Sequence, residues 1–483
     1  MIQNLSLKKN ALKGGQWTSI AMMISTLLQL LKISVLARYL SSDDFGLMAI
    51  VMVLVGFSQA FADMGISNAI IHRQNITHDQ LSSLYWLNLM SGIALALVLV
   101  VISPFISLYY SEPDLVLLTV VVSSVFVITA FGQQYRILCQ KELQFATIAL
   151  ITITSEIIGT SVAIWLAWSG MGVWSLVISM LVTAGVASAG FLLVGLQRHH
   201  RPSLVFRYSE LKGFYGFGLY QMGERSINYL SANIDKILIG KFVGMGALGF
   251  YNMASQLALY PLQKINPVVN TVAFPTYAKL QHDPERRSHY YAVSVKLLSL
   301  VTVPILAFLF FNAHDVVLLV FGDGWSQTAA LVQVMVFIGV LKAVGNPGGA
   351  LLLAMGRAEV GFWWNLAWVL IVSLGLYIGL VMSPSAESAV YVLLGLSLTV
   401  GMVWHILIAR IGALDYKPVV VHLLKIFVVA FAIGAVCVTL VGLIHGLSLI
   451  ARIGVLAGSY GLLYGLYLMV VEREFLLNIF RNK

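Results

Sequence analysis

The chain has 483 residues, 59% of them hydrophobic and only 10% charged, with a net charge of +9. Soluble domains carry about 25% charged residues, so this composition excludes a large soluble core and reads as an integral membrane protein. Basic loops on such a protein record its topology, so the positive balance does not call for nucleic acid. The two cysteines, Cys139 and Cys437, lie in or beside apolar segments, which argues against a disulfide framework.

A spanning helix needs about 20 mostly apolar residues. Fourteen such spans follow in chain order, at about 16–38, 45–69, 83–108, 115–135, 146–168, 172–195, 213–240, 248–275, 291–312, 328–353, 361–383, 388–409, 419–444 and 451–471. The first follows "MIQNLSLKKNALKGG" and is longer than the core of a signal peptide, so it reads as an uncleaved helix. No connection exceeds about 18 residues, so no globular domain is expected on either face. With the N-terminus cytoplasmic, 21 of the 29 Lys and Arg fall on the cytoplasmic side. Arg38, Lys241 and Arg452 fall on the other side, and five lie inside spans. That asymmetry predicts that both termini are cytoplasmic.

An internal repeat organises the spans. "ARYLSSDDFGLMAI" at 37–50 aligns with "GKFVGMGALGFYNMA" at 240–254, a shift of 203 that pairs Arg38 with Lys241 and Gly46 with Gly249. "LCQKELQF" at 138–145 resembles "LLAMGRAEVGF" at 352–362, with Lys141 near Arg357. The expected fold is all-α, with two six-helix lobes of shared orientation and two extra C-terminal helices. The lobes take residues 1–200 and 201–412, and the extra helices with a cytoplasmic tail take 413–483.

Eight charged residues sit well inside spans: Lys32, Glu156, Glu224, Arg225, Asp235, Lys236, Lys264 and Lys342, with Asp63 a ninth near the inner interface. Each costs roughly 3 kcal/mol at the centre of a lipid-facing helix, so they must pair or face a polar interior. In the seventh span, at 100° per residue, Gln221, Glu224, Arg225, Asn228, Ser231, Asp235 and Lys236 share one arc. Ile227, Leu230, Ile234 and Ile237 occupy the opposite arc, with Asn233 the exception. One polar wall and one apolar wall describe a helix that borders a cavity. The eighth span adds Lys264 among Pro261, Pro267 and Pro275, and the tenth adds Lys342 beside Asn346 and Pro347. Basic residues outnumber acids among these positions, which suits an anionic cargo such as phosphate or pyrophosphate.

Other motifs point nowhere catalytic. "GMGALG" fits a dinucleotide fingerprint but lacks its βαβ setting, and the paired aspartates of "SSDDFG" lack further ligands. The sequon at Asn75 falls on the cytoplasmic side, and His199 and His200 read as part of a basic loop. No histidine cluster suggests a metal, no nucleophile–base constellation stands out, and no cofactor is called for.

"ARYLSSDDFGLMAI", "FADMGISNAIIHRQN", "NIDKILIGKFVGMGALGFYNMA", "VAFPTYAKLQHDPERRSHYY", "VFGDGW" and "GNPGGALLLAMGR" together carry a family resemblance, which spans the chain to about residue 410. The sequence resembles the Wzx-like polysaccharide flippases of the multidrug/oligosaccharidyl-lipid/polysaccharide superfamily, most of all the colanic acid exporter type. The resemblance implies a central cavity between two lobes in the bacterial inner membrane. It also implies transfer of undecaprenyl-pyrophosphate-linked oligosaccharide repeat units to the periplasmic leaflet, for exopolysaccharide, capsule or O-antigen. In the related peptidoglycan-precursor flippase a basic residue lies six positions before the arginine of an A-R-x-[FL] segment, which selects Lys32 here.

Physics and resemblance together assign Lys32, Arg225, Lys264 and Lys342 to the anionic headgroup. Glu156, Glu224, Asn228, Asp235 and Lys236 are then polar cavity positions, with an acid among them a candidate for ion coupling. A polysaccharide polymerase and co-polymerase are candidate partners. Two rival readings are a multidrug efflux antiporter of the same superfamily, disfavoured by the basic excess, and a membrane polymerase, disfavoured by the short loops.

Overall fold

The computed structural model describes residues 2–62, 70–71, 76–207, 218–444, 446–475 and 477, without the side chains of 2–13 and 218–221. Asp63, the sequon residue Asn75 and the side chain of Gln221 lie outside the described residues.

Among the described residues all regular structure is helical. Fourteen long helices follow one another: α1 (Ile2–Leu36), α2 (Ser42–Ala62), α3 (His78–Tyr110), α4 (Asp114–Lys141), α5 (Phe145–Trp168), α6 (Val173–Arg198), α7 (Gly218–Phe242), α8 (Met245–Lys279), α9 (Pro284–Phe321), α10 (Ser326–Ala354), α11 (Ala358–Met382), α12 (Ala386–Gly412), α13 (Lys417–Gly442) and α14 (Leu449–Val470). Twelve are long and apolar enough to cross a membrane. The other two, α7 and α8, have the length, but α7 carries Glu224, Arg225, Asp235, Lys236 and Lys241 in its 25 residues. Three prolines and Lys264 interrupt the apolar surface of α8.

The repeat is visible in the backbone. Helix starts at Ser42, Asp114, Phe145 and Val173 recur at Met245, Ser326, Ala358 and Ala386, offset by 203 at the first and 213 at the last. The α4–α5 turn places Leu143 at φ 57°, and its counterpart in the α10–α11 turn is Gly356 at φ 70°. Both turns close with the same long bond, Gln144 N–H to Cys139 C=O at 2.8 Å and Arg357 N–H to Leu352 C=O at 2.9 Å. This is the closure of a helix that ends on a left-handed residue.

Two compact units divide the chain, Met1–Gly249 and Phe250–Lys483. In the first, α1 packs on α5, α3 on α4, α4 and α5 on α6, and α2 on α7. Asp44 of "SSDDFG" serves two helix ends. Asp44 accepts from Ser41 N–H at 2.9 Å and from the first backbone N–H of α6, that of Val173, at 2.9 Å. Such caps satisfy donors a helix start leaves open. At the opposite end, the segment after α6 is fastened to α3. Trp86 Nε1 donates to Ser203 C=O at 2.8 Å, and Ser82 and Ser83 hydroxyls accept from Ser203 and Arg207 N–H.

In the second unit, α9 is the central strut, packed by α10, α13 and α14. Arg287, in the segment "VAFPTYAKLQHDPERRSHYY", fastens two helix ends together. Arg287, 3% exposed, donates through Nε and Nη2 to the Gly412 carbonyl at 3.0 and 2.7 Å, and through Nη1 to Gln281 C=O at 2.7 Å. It thereby caps the C-terminus of α12, where a guanidinium complements the helix dipole. Around it Tyr277, Tyr291, Leu351, Ile408 and Val419 form one apolar cluster. The two C-terminal helices are held to α9 by buried Glu472, paired with Lys296 at 2.6 Å and Lys425 at 3.2 Å, and by Arg452 with Asp315 at 3.1 Å.

Candidate functional site

Five helices of the first unit line an open cavity of about 430 Å³. α1 contributes Lys32, α2 Met48 and Met52, α4 Val125 and Arg136, α5 Thr152, Ser155 and Glu156, and α6 Thr183. Small residues let these helices approach closely enough to share it. Gly14 faces Phe145, Gly159 faces the Thr183 hydroxyl, and Gly132 faces Ser188. These contacts set the levels of the charged groups. At 1.5 Å per residue, Lys32 lies about 10 Å to one side of Glu156 along the helices, and Arg136 about 9 Å to the other.

Among the described residues the cavity is lined by two cations and one carboxylate. Lys32 and Glu156 are half-buried and interact electrostatically across the cavity without a direct ion pair. Arg136 is exposed and makes no hydrogen bond or ion pair to another described residue. The hydroxyls nearby are self-contained, Ser155 donating to Thr152 C=O at 2.8 Å and Thr183 to Ser179 C=O at 2.8 Å. Donors held this way keep their lone pairs available as acceptors. Two cations against one carboxylate among the described lining residues give this cavity a charge balance that favours an anion.

The structure brings two of the sequence candidates, Lys32 and Glu156, into this cavity. The other five on α7 or beside its polar arc line up along that helix in the same unit. Arg225 and Asn228 are exposed, and Glu224, Asp235 and Lys236 half-buried. The odd residue of its apolar face, Asn233, is explained by its bonds. It donates to Tyr229 C=O at 2.9 Å and accepts from Lys236 Nζ at 3.1 Å. Tyr229 docks α7 on α2 by donating to Met52 C=O at 3.0 Å. Lys264 and Lys342 belong to the second unit, both exposed, with Lys264 Nζ 5.2 Å from the centre of the Tyr260 ring.

Sequence reasoning missed Arg136. Ending the fourth span at 135 made it a loop residue, whereas α4 continues to Lys141. The reading that no nucleophile lies near a base also needs correction. Cys139 Sγ lies 3.6 Å from His199 Nε2, and His199 Nδ1 3.1 Å from Glu142 Oε1. Residues 60 apart meet because α4 and α6 end side by side. The thiol is fully buried, unlike reactive cysteines, which are partly exposed, so this knot ties the loop of His199 down.

Comparison with known proteins decides the family. The sequence profile described as "Polysaccharide biosynthesis protein" matches residues 35–330. The chain belongs to this family. Two members make the point at the level of whole chains. It is 32% identical over 431 residues to the teichuronic acid biosynthesis protein TuaB of Bacillus subtilis, covering 89% of each chain. It is 32% identical over 363 residues to the lipopolysaccharide biosynthesis protein WzxC of Escherichia coli, covering 75% of this chain and 73% of that one.

The fold of this family member is that of the lipid II flippase MurJ in its inward closed conformation, with a TM-score of 0.73 at 13% identity, over 93% of this chain and 98% of that one. An inward-facing MATE-family multidrug transporter of the MOP superfamily shares it at a TM-score of 0.60 and 16% identity, over 83% and 97%. The all-α, multi-pass architecture expected from the sequence is therefore the fold shared with these two structures. The fold is common to both kinds of transporter, so it does not select the cargo.

Proposed function

We propose that this protein is a flippase that moves undecaprenyl-pyrophosphate-linked oligosaccharide repeat units across the bacterial inner membrane for polysaccharide assembly. The observation that carries the reading is the positive cavity of the first unit, Lys32 and Arg136 against Glu156, in a member of a polysaccharide biosynthesis family. A pyrophosphate bears the charge such a cavity accepts, and Arg and Lys are the residues that hold it. A cationic drug would meet the wrong sign there. Membership of a family whose relatives are named for polysaccharide synthesis supports the same cargo class.

The headgroup engages Lys32 and is handed on as the protein alternates between inward- and outward-open states. Arg225, Lys264 and Lys342 are further cations proposed for the same ligand class. Tyr260 Oη and the amide oxygens of Asn266 and Asn270 on α8 are buried and unpaired, and suit donation from sugar hydroxyls. Glu156, Glu224 and Asp235 offset the positive charge so that the cargo can leave, and one of them is the candidate for ion coupling. The chain carries out no covalent chemistry in this reading. The distribution of basic residues supports a cytoplasmic position for both termini. A polysaccharide polymerase and co-polymerase are the partner classes that would consume the delivered units.

The test is binding of undecaprenyl pyrophosphate to the protein in neutral liposomes, at low and high salt, with Arg225→Ala and Lys264→Ala as variants. Saturable binding that weakens with salt and in both variants is expected. Binding indifferent to salt and to both substitutions would remove the cationic-site reading.

A further inference from the structure

In the first unit, the three charged groups of the cavity alternate along its length. Lys32 stands at one end, Glu156 in the middle and Arg136 at the other, with about two helical turns between successive levels. Lys32 feels the Glu156 carboxylate. Arg136 has no partner among the described residues, although it sits at the inner stretch of a 28-residue helix that spans the unit. Side chains on a helix lean toward its N-terminus, so the guanidinium of Arg136 reaches from the end of α4 back toward Glu156.

Arg136 thus lines the same pocket as a half-buried carboxylate about two helical turns away, with no hydrogen bond or ion pair to any described residue. The two groups share one cavity, yet they do not pair. A planar fork whose five donors meet no acceptor among the described residues suits a tetrahedral oxyanion, which a guanidinium can hold bidentately.

We propose that Arg136 and Lys32 form a two-station anion path within the first unit, Arg136 receiving a phosphate-type group at the inner end and Lys32 at the outer. Glu156 is the electrostatic divider between them. It weakens the hold of each station so that the anion is not trapped at either, because like charges repel across a low-dielectric interior. This rests on the flippase reading above and deepens it. Arg136 becomes a cargo-contacting residue of this chain, where the topology of basic residues alone would count it as a loop charge.

The experiment uses full-length protein in phosphatidylcholine liposomes and three probes: undecaprenyl pyrophosphate, undecaprenol, and inorganic pyrophosphate. Arg136→Gln and Lys32→Gln should each weaken binding of undecaprenyl pyrophosphate by about tenfold, as expected for a charge-assisted contact. Arg136→Lys should retain part of the affinity, since it keeps the charge and loses the fork. Glu156→Gln should tighten binding several-fold, a direction that loss of structure would not produce. Arg201→Gln, an exposed basic residue outside the cavity, should leave affinity unchanged. Undecaprenol binding should be the same in every variant.

If wild type binds undecaprenyl pyrophosphate and Lys32→Gln weakens it while Arg136→Gln does not, the two-station path is wrong and the flippase reading stands. If wild type binds none, both readings fall. Arg136-dependent binding of inorganic pyrophosphate without binding of the lipid would overturn the lipid headgroup as the occupant, and this inference with it. Looser binding in Glu156→Gln would overturn the divider role.

Discussion

Gly46 on α2 and Gly249 on α8 are reciprocal partners. A methyl group on Gly46 would run into the carbonyl oxygen of Met245, and one on Gly249 into the carbonyl oxygen of Ser42. Under the repeat shift of 203, Ser42 corresponds to Met245 and Gly46 to Gly249. Each helix start therefore presents its glycine to the backbone of the other, as in a contact about a two-fold axis, where residue i meets j and j meets i. The same small-residue spacing on both helices lets backbones touch.

Either glycine replaced by alanine forces the helix starts apart. Gly46→Ala and Gly249→Ala should each lower stability by about 1–3 kcal/mol, the usual cost of overpacking. Because both act on one contact, the double variant should cost less than the sum of the singles. Thermal unfolding in detergent measures this, and additive losses would refute the shared contact.

The turn equivalence makes an opposite prediction. Leu143 adopts φ 57° where its repeat counterpart is Gly356, and an L-residue with a Cβ costs roughly 1–2 kcal/mol in that region. Leu143→Gly should raise the melting temperature, while Gly356→Leu should lower it. A destabilised Leu143→Gly protein would show that the side chain, 37% exposed, matters more to folding than its backbone strain.

Arg287 tests whether its segment serves the fold or the cargo. Arg287→Ala leaves the Gly412 carbonyl buried without its two donors, at a cost of about 3 kcal/mol for a charged hydrogen-bonded group. Arg287→Lys should recover little, since one ammonium cannot reach Gly412 and Gln281 as a fork does. Loss of stability with cargo affinity per folded molecule unchanged is the expected result. A stable variant with weakened cargo binding would move Arg287 into the transport path.

His200 predicts a pH dependence. Burial, then the neighbouring His78 and His199, push its imidazole down from 6.5 to about 4, and neither ring nitrogen has a hydrogen-bond partner among the described residues. The unfolded chain therefore binds a proton below pH 6.5 that the folded protein refuses until about pH 4. Its contribution to stability is complete above pH 6.5 and is lost as pH falls toward 4. His200→Phe should flatten the stability profile across that window, and an unchanged slope would show that other groups set it.

The number and order of helices were legible because apolar runs near 20 residues have no other use in so hydrophobic a chain. Gly46 and Gly249, which the sequence pairs by a shift of 203, meet at one backbone contact. Arg136 was hidden by a six-residue error in one helix end, which turned a cavity cation into a loop charge. Lys32 and Glu156 were both found as intramembrane charges, but they lie 124 positions apart, and no local pattern joins α1 to α5. The same is true of Arg287 and Gly412 and of Cys139 and His199. Their chemistry depends on which helix ends meet in space, which the period of apolar residues does not encode.

The central claim is that the protein moves an anionic lipid-linked oligosaccharide between leaflets. The most direct measurement is transbilayer movement of a fluorescent undecaprenyl-pyrophosphate oligosaccharide in proteoliposomes, read as the fraction quenched by a membrane-impermeant reagent. The account predicts that wild-type protein exposes label initially confined to the inner leaflet, and that Lys32→Gln slows this at least tenfold while leaving the protein folded. Label that stays as protected as in protein-free liposomes, with folded wild-type protein present, would contradict it.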